Sequence, residues 1–155
     1  MEARNVRDQA HVFTAPLSHL YGLSRLAASS VPWKEARREI GDLMLGDIQD
    51  NFDRQTLYTG EAMPQSKAAR GRQGKTLIDK HHLYDSYLDA GAQDTDTGIV
   101  LGSNSVYARI HHSGGETGRP GHRFHMTARP VLGVGPKQER RIGDALIREI
   151  EALPA

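Results

Sequence analysis

The chain has 155 residues, enough for one domain with a core of its own, and its 20 basic and 19 acidic residues leave a net charge of +1. It contains no cysteine, which excludes disulfides and thiolate metal sites. No apolar stretch approaches the ~18 residues of a membrane span and no signal-peptide core opens the chain, so we expect no membrane partner and synthesis in a cytoplasm.

The chain divides by composition into an arm and a main domain. Residues 1–31 are polar at the start and are interpreted as an N-terminal arm with a short helix over 16–28. Residues 32–155 are predicted to form the domain. Within it, residues 56–75 and 113–123 lose apolar periodicity and are rich in glycine or basic residues, so we expect two mobile loops without regular structure.

The strongest periodicity predicts a long helix over 32–55. Ser30 precedes it as a candidate cap. Gly41 and Gly46 weaken the helix and are expected to let a neighbouring element approach closely, whereas Asp47 is expected on the polar face. The apolar face is made of Trp33, Ala36, Ile40, Leu43, Met44, Ile48 and Phe52.

The middle of the chain predicts a short helix followed by a hairpin. Asp79 is a candidate cap for a helix over 80–85. Residues 86–90 and 97–102 are predicted to pair as antiparallel strands, because the segment between them is rich in the turn residues Gly, Asp and Thr.

The C-terminal part predicts a helix over 105–112, β-type alternation over 123–134 interrupted at Pro130, and a closing helix over 137–153. The whole pattern indicates an α+β fold, in which a small, mostly antiparallel sheet of about four strands packs against the long helix and the closing helix. The residues expected to define this fold are Trp33, Phe52, Asp79, Tyr107, Ile110, Pro130 and Leu146.

The first loop carries a basic run that suits contact with a polyanion, because lysine and arginine neutralise phosphate charge. The candidate DNA-facing residues are Lys67, Arg70, Arg72 and Lys75. The alternative is a solvated loop without a ligand. Arg129 is a separate case, and we expect it to pair with a carboxylate while Pro130 directs the chain.

Histidines raise the question of a metal site. His111 and His112 are adjacent, so on a helix their side chains point about 100° apart and do not chelate together. His122 and His125 lie in a β-type segment, and no His-Glu-x-x-His spacing occurs. We therefore expect surface or interface histidines and no cofactor. The alternative is a metal-dependent nuclease or nucleic-acid-binding protein that uses these four histidines, for which Glu116 is the one local carboxylate. A small DNA-binding regulator is a third class, and no recognition-helix pattern favours it.

Four blocks of the sequence follow one another in a characteristic order: Leu77–Asp79 with Leu83–Ser86, Val100–Asn104, Tyr107–Gly115 and Ala128–Gly133. In this order they resemble the phage virion morphogenesis family, the tail completion proteins of Mu-like and P2-like tailed phages. The block Tyr107–Gly115 fits at every fixed place of the family's tyrosine-to-glycine motif. The family's tryptophan-bearing loop is absent and residues 59–73 replace it.

The resemblance implies a structural virion protein rather than an enzyme. Such proteins complete or terminate the tail tube at the head–tail junction and join it to the head connector, as a homo-oligomeric ring of six subunits by family analogy. The implied partners are other copies of the chain, the tail tube protein, a connector or stopper protein and genomic DNA in the lumen, after assembly in the host cytoplasm. The candidate interface residues are Arg70, Arg72, Lys75, His111, His112, Arg119 and His122.

Overall fold

Helices and short strands alternate along the part of the chain that the structure, a computed structural model, describes: residues 13–16 (backbone only), 33–96 and 98–153. The α+β class is confirmed. Within these residues the order is β1 (Phe13–Pro16), α1 (Trp33–Arg54), α2 (Lys67–Gly71), α3 (His82–Ala90), β2 (Ala92–Thr95), β3 (Gly98–Leu101), α4 (Ala108–Ser113), β4 (Gly115–Thr117), β5 (Phe124–Met126) and α5 (Pro136–Glu151). The polar arm before β1, most of the predicted helix over 16–28 and Ser30 lie outside the described residues.

The long helix α1 agrees with its prediction to within one residue at each end. Its apolar stripe is the spine of the core, because side chains three and four residues apart share one face. Phe52 is fully buried and packs edge-on against Tyr84, with ring centroids 5.3 Å apart, and at 5.9 Å against Tyr87. Trp33 and Leu43 are only partly buried, at the margin of the stripe.

The strands of the described residues form two sheets, not the one sheet of about four strands that the sequence suggests. The first has the order β1-β3-β2, with both pairs antiparallel. The second is the β4–β5 hairpin, in which Gly115 pairs with Met126 and Thr117 with Phe124. All pairings are antiparallel, as expected, and α1 packs against the first sheet through β2 and β3.

The predicted strand over 86–90 is wrong, because these residues belong to α3. Tyr87 and Ser86 are buried, and helical spacing from Leu83 directs this face toward Phe52. Gly91 ends the helix with φ +62°, donating its N–H to the carbonyls of Tyr87 and Leu88. The hairpin partner of β3 is therefore β2, with only residues 96 and 97 between the two strands.

The prediction that Asp79 caps this helix is also wrong. Helix α3 begins after His81, which makes no side-chain cap bond. Asp79 is exposed and instead lies 3.8 Å from the guanidinium of Arg72.

Helix α5 packs against α1 and closes the core. It begins at Pro136, where the side-chain carbonyl of Gln138 accepts from the N–H of Gly135 at 3.1 Å. Its buried residues include Ile142, Ala145 and Leu146. The helix ends at Glu151, two residues before the predicted end.

The segment 56–75 contains regular structure, contrary to expectation. Thr56 and Ala62 form a β-bridge. The Ser66 hydroxyl caps α2 by accepting from the N–H of Ala69, which is fully buried. The segment therefore packs onto the rest of the domain.

In the described part of the chain, none of the helices has the length and apolar character of a membrane span.

Candidate interface surfaces

Two of the four predicted DNA-facing cations are used inside the chain. The Arg72 guanidinium donates to the carbonyls of Lys75 and Ile78, each at 2.9 Å. The Lys75 ammonium donates to the backbone carbonyl of Asp53 at 2.8 Å and lies 3.8 Å from that residue's carboxylate. These contacts tie the segment after α2 to the end of α1 and neutralise part of its charge.

The other two cations remain available. Lys67 and Arg70 are exposed on α2, and neither forms an ion pair with another described residue. The basic surface of α2 is therefore smaller than the sequence suggests.

The structure brings one histidine and one carboxylate together. His125 lies on β5 opposite Glu116 on β4, and its Nδ1 is 3.2 Å from the carboxylate oxygen of Glu116. His111 and His112 end α4, whereas His122 is exposed in the hairpin loop. Among the described residues, no group of three histidine, aspartate or glutamate side chains is placed to hold a metal ion.

His111 is half-buried, and the cation Arg129 lies near it. Its carbonyl accepts from the Arg129 N–H at 2.7 Å. Burial, and secondly the positive charge of Arg129, lower the pKa of His111, because both disfavour the imidazolium. Its Nδ1 is buried without a hydrogen-bond partner in the described part of the chain.

Arg129 donates to backbone carbonyls, so the prediction that it pairs with a carboxylate is wrong. The buried guanidinium donates to the carbonyl of Pro64 at 2.7 Å and to that of Thr127 at 3.0 Å. Burial lowers the pKa of Arg129. The neighbouring Pro130 carbonyl accepts from the Tyr58 N–H at 3.1 Å, so this corner fastens the segment after α1 to the segment after β5.

Tyr107 is not a core residue, which corrects the sequence prediction. Its side chain is 65% exposed and the adjacent Val106 is 66% exposed. Helix α4 begins only at Ala108, which takes the buried position, and Ile110 is half-buried. Val106 and Tyr107, named here the apolar knuckle, form an exposed hydrophobic pair in the turn before α4.

Ser103 holds the knuckle in place, a role that the sequence did not predict. Its buried hydroxyl lies 2.6 Å from that of Ser86 and accepts from the N–H of Ser105 at 3.0 Å. The readable signal was the Gly-Ser-Asn-Ser run, in which small hydroxyl residues bond to the backbone two residues on.

Asp47 is a second residue whose role the sequence did not predict, since it was expected on the polar face of α1. It is 5% exposed, on the apolar face of α1, and its carboxylate accepts from Lys137 at 3.1 Å and Arg141 at 2.5 Å on α5. The sequence feature that indicates its burial is its position three residues after Met44, on the apolar face of the helix.

Comparison with known proteins decides the family. A profile of the phage virion morphogenesis family matches residues 20–151. The chain belongs to the phage virion morphogenesis family. It is similar to the Mu-like prophage FluMu G protein 2 of Haemophilus influenzae, with 31% identity over 120 residues, which cover 77% of this chain and 80% of that protein. No solved structure gives a significant match.

Membership in the virion morphogenesis family confirms the resemblance and makes this a phage morphogenesis protein. The matching blocks now have places in the fold. They supply the approach to α3, strand β3 with the Ser103 turn, the apolar knuckle with α4, and the corner at Arg129 and Pro130. Most of these blocks support the body, whereas the knuckle faces outward.

Proposed function

We propose that the protein is a structural component of the head–tail junction, where it completes or terminates the tail tube and joins it to the head connector as a homo-oligomeric ring. The observation that carries the proposal is the apolar knuckle of a virion morphogenesis protein. Val106 and Tyr107 are two-thirds exposed although they lie in or next to a family block. Adjacent exposed apolar side chains of this size fit contact with another protein.

The knuckle is suited to an interface because its conformation is fixed before contact. The hydrogen bonds of Ser103 with Ser86 and Ser105 hold the turn. Tyrosine combines a large apolar ring with a polar hydroxyl and is enriched at interface cores. Burying the exposed two-thirds of each side chain would contribute roughly 1–2 kcal/mol before the cost of ordering it. We propose a second copy of the chain as the occupant, because repeated contacts close a ring.

Other predicted interface residues fit this role to different degrees. Arg70, Arg119 and His122 are exposed and able to meet the tail tube protein or a connector protein. Arg72 and Lys75 are engaged internally, so their contribution is to hold α2 in position.

The test is assembly of the purified protein, followed by mass photometry and negative-stain electron microscopy. We expect closed rings, and we expect the double variant V106S/Y107S to remain monomeric with an unchanged melting temperature. The control is I147S, since Ile147 is 53% exposed on α5 and outside the knuckle. Monomers at every concentration of the wild type, or equal loss of rings in both variants, would contradict the proposal.

A test in the phage checks the location. Virions formed without this protein are expected to accumulate as separate filled heads and tails, and Y107S is expected not to restore joining. Metal-dependent cleavage of plasmid DNA by the pure protein, abolished in H125A, would instead support the nuclease interpretation.

A further inference from the structure

Residues 98–135 carry an excess of positive charge, in addition to the basic run over 67–75. Residues 98–135 contain four arginines and a single glutamate, which leaves sixteen basic and eighteen acidic residues elsewhere. The chain is therefore nearly neutral as a whole but has a basic segment. This segment includes the β4–β5 hairpin.

The loop of the hairpin, residues 118–123, holds its charges in a defined shape. The N–H of His122 donates to the carbonyl of Arg119 at 2.9 Å and closes a tight turn. Gly118 has φ +106°, and a Cβ there would lie 2.3 Å from the His122 carbonyl oxygen, so the two sides of the loop touch. The backbone of the loop is thus held in a defined shape before any contact.

The arginines of the loop have no counter-charge in the described part of the chain. Arg119 and Arg123 are exposed and form no ion pair with another described residue. Glu116, the hairpin's acid, is beside His125. Arg129 is buried against carbonyls and unavailable. The loop therefore differs from the α2 segment, where Asp53 and Asp79 offset Lys75 and Arg72.

We infer that the hairpin loop, through Arg119, His122 and Arg123, binds the phosphate backbone of double-stranded DNA without sequence preference. Guanidinium groups match phosphate oxygens with paired N–H donors. The loop contains no asparagine or glutamine to read base edges, so contacts to phosphate dominate. Phe124 follows directly and is 53% exposed, which adds apolar surface beside the charges. The choice of DNA over an acidic protein rests on the proposed function, because a ring at the junction surrounds the path of the genome.

The DNA contact thus lies on the hairpin loop and not on the segment around α2, which the sequence favoured. The two surfaces make a matched comparison, because each has two exposed cations without an ion pair in the described residues: Arg119 and Arg123 in the hairpin loop, and Lys67 and Arg70 on α2.

The experiment is fluorescence anisotropy with a short double-stranded DNA of random sequence, at salt concentrations between about 50 mM and about 200 mM. We expect salt-sensitive binding by the wild type. R119A/R123A is expected to lose at least tenfold in affinity at the lower salt and to reduce the slope of log affinity against log salt by about 2. K67A/R70A is expected to change affinity by less than about threefold, within the range of indirect charge effects. Thermal melts confirm that both variants fold.

Three outcomes would overturn the inference: no binding by the wild type at the lower salt, equal losses in the two double variants, or equally tight binding of polyglutamate through Arg119 and Arg123. Mass photometry of the same samples separates this test from the proposed function. Rings without DNA binding overturn only the hairpin contact, whereas hairpin-dependent DNA binding by a chain that never forms rings contradicts only the ring.

Discussion

Single buried polar residues connect distant parts of this protein, and Asp47 is the clearest case. Its carboxylate lies within the apolar face of α1 and accepts from Lys137 and Arg141 on α5. Removing it leaves a small cavity and breaks two charge-assisted hydrogen bonds. We expect D47A to lower the free energy of unfolding by about 2–3 kcal/mol, measured by urea denaturation.

The control for Asp47 is K137A, because the Lys137 side chain is 61% exposed and solvent replaces its partner. We expect a loss of less than about 1 kcal/mol. Equal losses in the two variants would contradict a special role for the buried carboxylate.

The pKa of His111 gives a pH dependence with a definite sign. The folded pKa lies below the unfolded value of about 6.5, so the folded state binds fewer protons. Stability is fully present above that value and decreases as the pH falls through it. We expect the urea midpoint to decrease between about pH 7.5 and about pH 5.5, and to decrease less in H111Q.

His122 provides the comparison for His111, because its side chain is exposed in the hairpin loop. H122Q is the control for replacing an imidazole at an exposed position. If H111Q keeps the pH dependence of the wild type, the acid sensitivity comes from other groups.

At the scale of elements, the close approach of α1 to the first sheet depends on the glycine at position 41. A Cβ on Gly41 would lie 2.7 Å from the Cβ of Ala92 on β2, whereas a Cβ on Gly46 meets nothing within 4 Å. We expect G41A to destabilise the protein by about 1–3 kcal/mol through overpacking. We expect G46A to stabilise it by about 0.5–1 kcal/mol, since alanine favours the helix. Thermal and urea unfolding of both variants measure the difference, and equal effects would contradict the close contact.

How well each element could be predicted follows from the range of its interactions. The α1 helix was predictable because its apolar rhythm repeats within one segment. Residues 86–90 were misassigned as a strand, since the helical face of Tyr87 is decided by Phe52, far along the chain. Strand β1 was missed, because its four residues depend on pairing with β3.

The candidate surfaces were predictable only in part, for the same reason. The residue types of the basic run were readable, but the carbonyls and carboxylates that engage Arg72 and Lys75 come from the fold. The exposure of Tyr107 depends on the hydroxyl contact between Ser103 and Ser86. Asp47 shows the opposite case, in which a charge inside an apolar stripe was a visible signal.

At the scale of the whole molecule, the core requires both long helices. Helix α5 covers α1 through Ile142, Ala145 and Leu146, so a chain ending at residue 135 exposes the apolar face around Ile40 and Met44. We expect this truncated chain to show no cooperative thermal transition and to aggregate, as followed by circular dichroism and light scattering. A chain ending at residue 153 is the matched control and is expected to melt like the full protein. Cooperative melting of the shorter chain would contradict the dependence on α5.

The bond between Asp47 and Arg141 joins positions 94 residues apart. A ribosome synthesises α1 long before α5. The nascent chain therefore exposes the apolar face of α1 until α5 has been made. The core of a subunit is therefore complete only after α5 has been made.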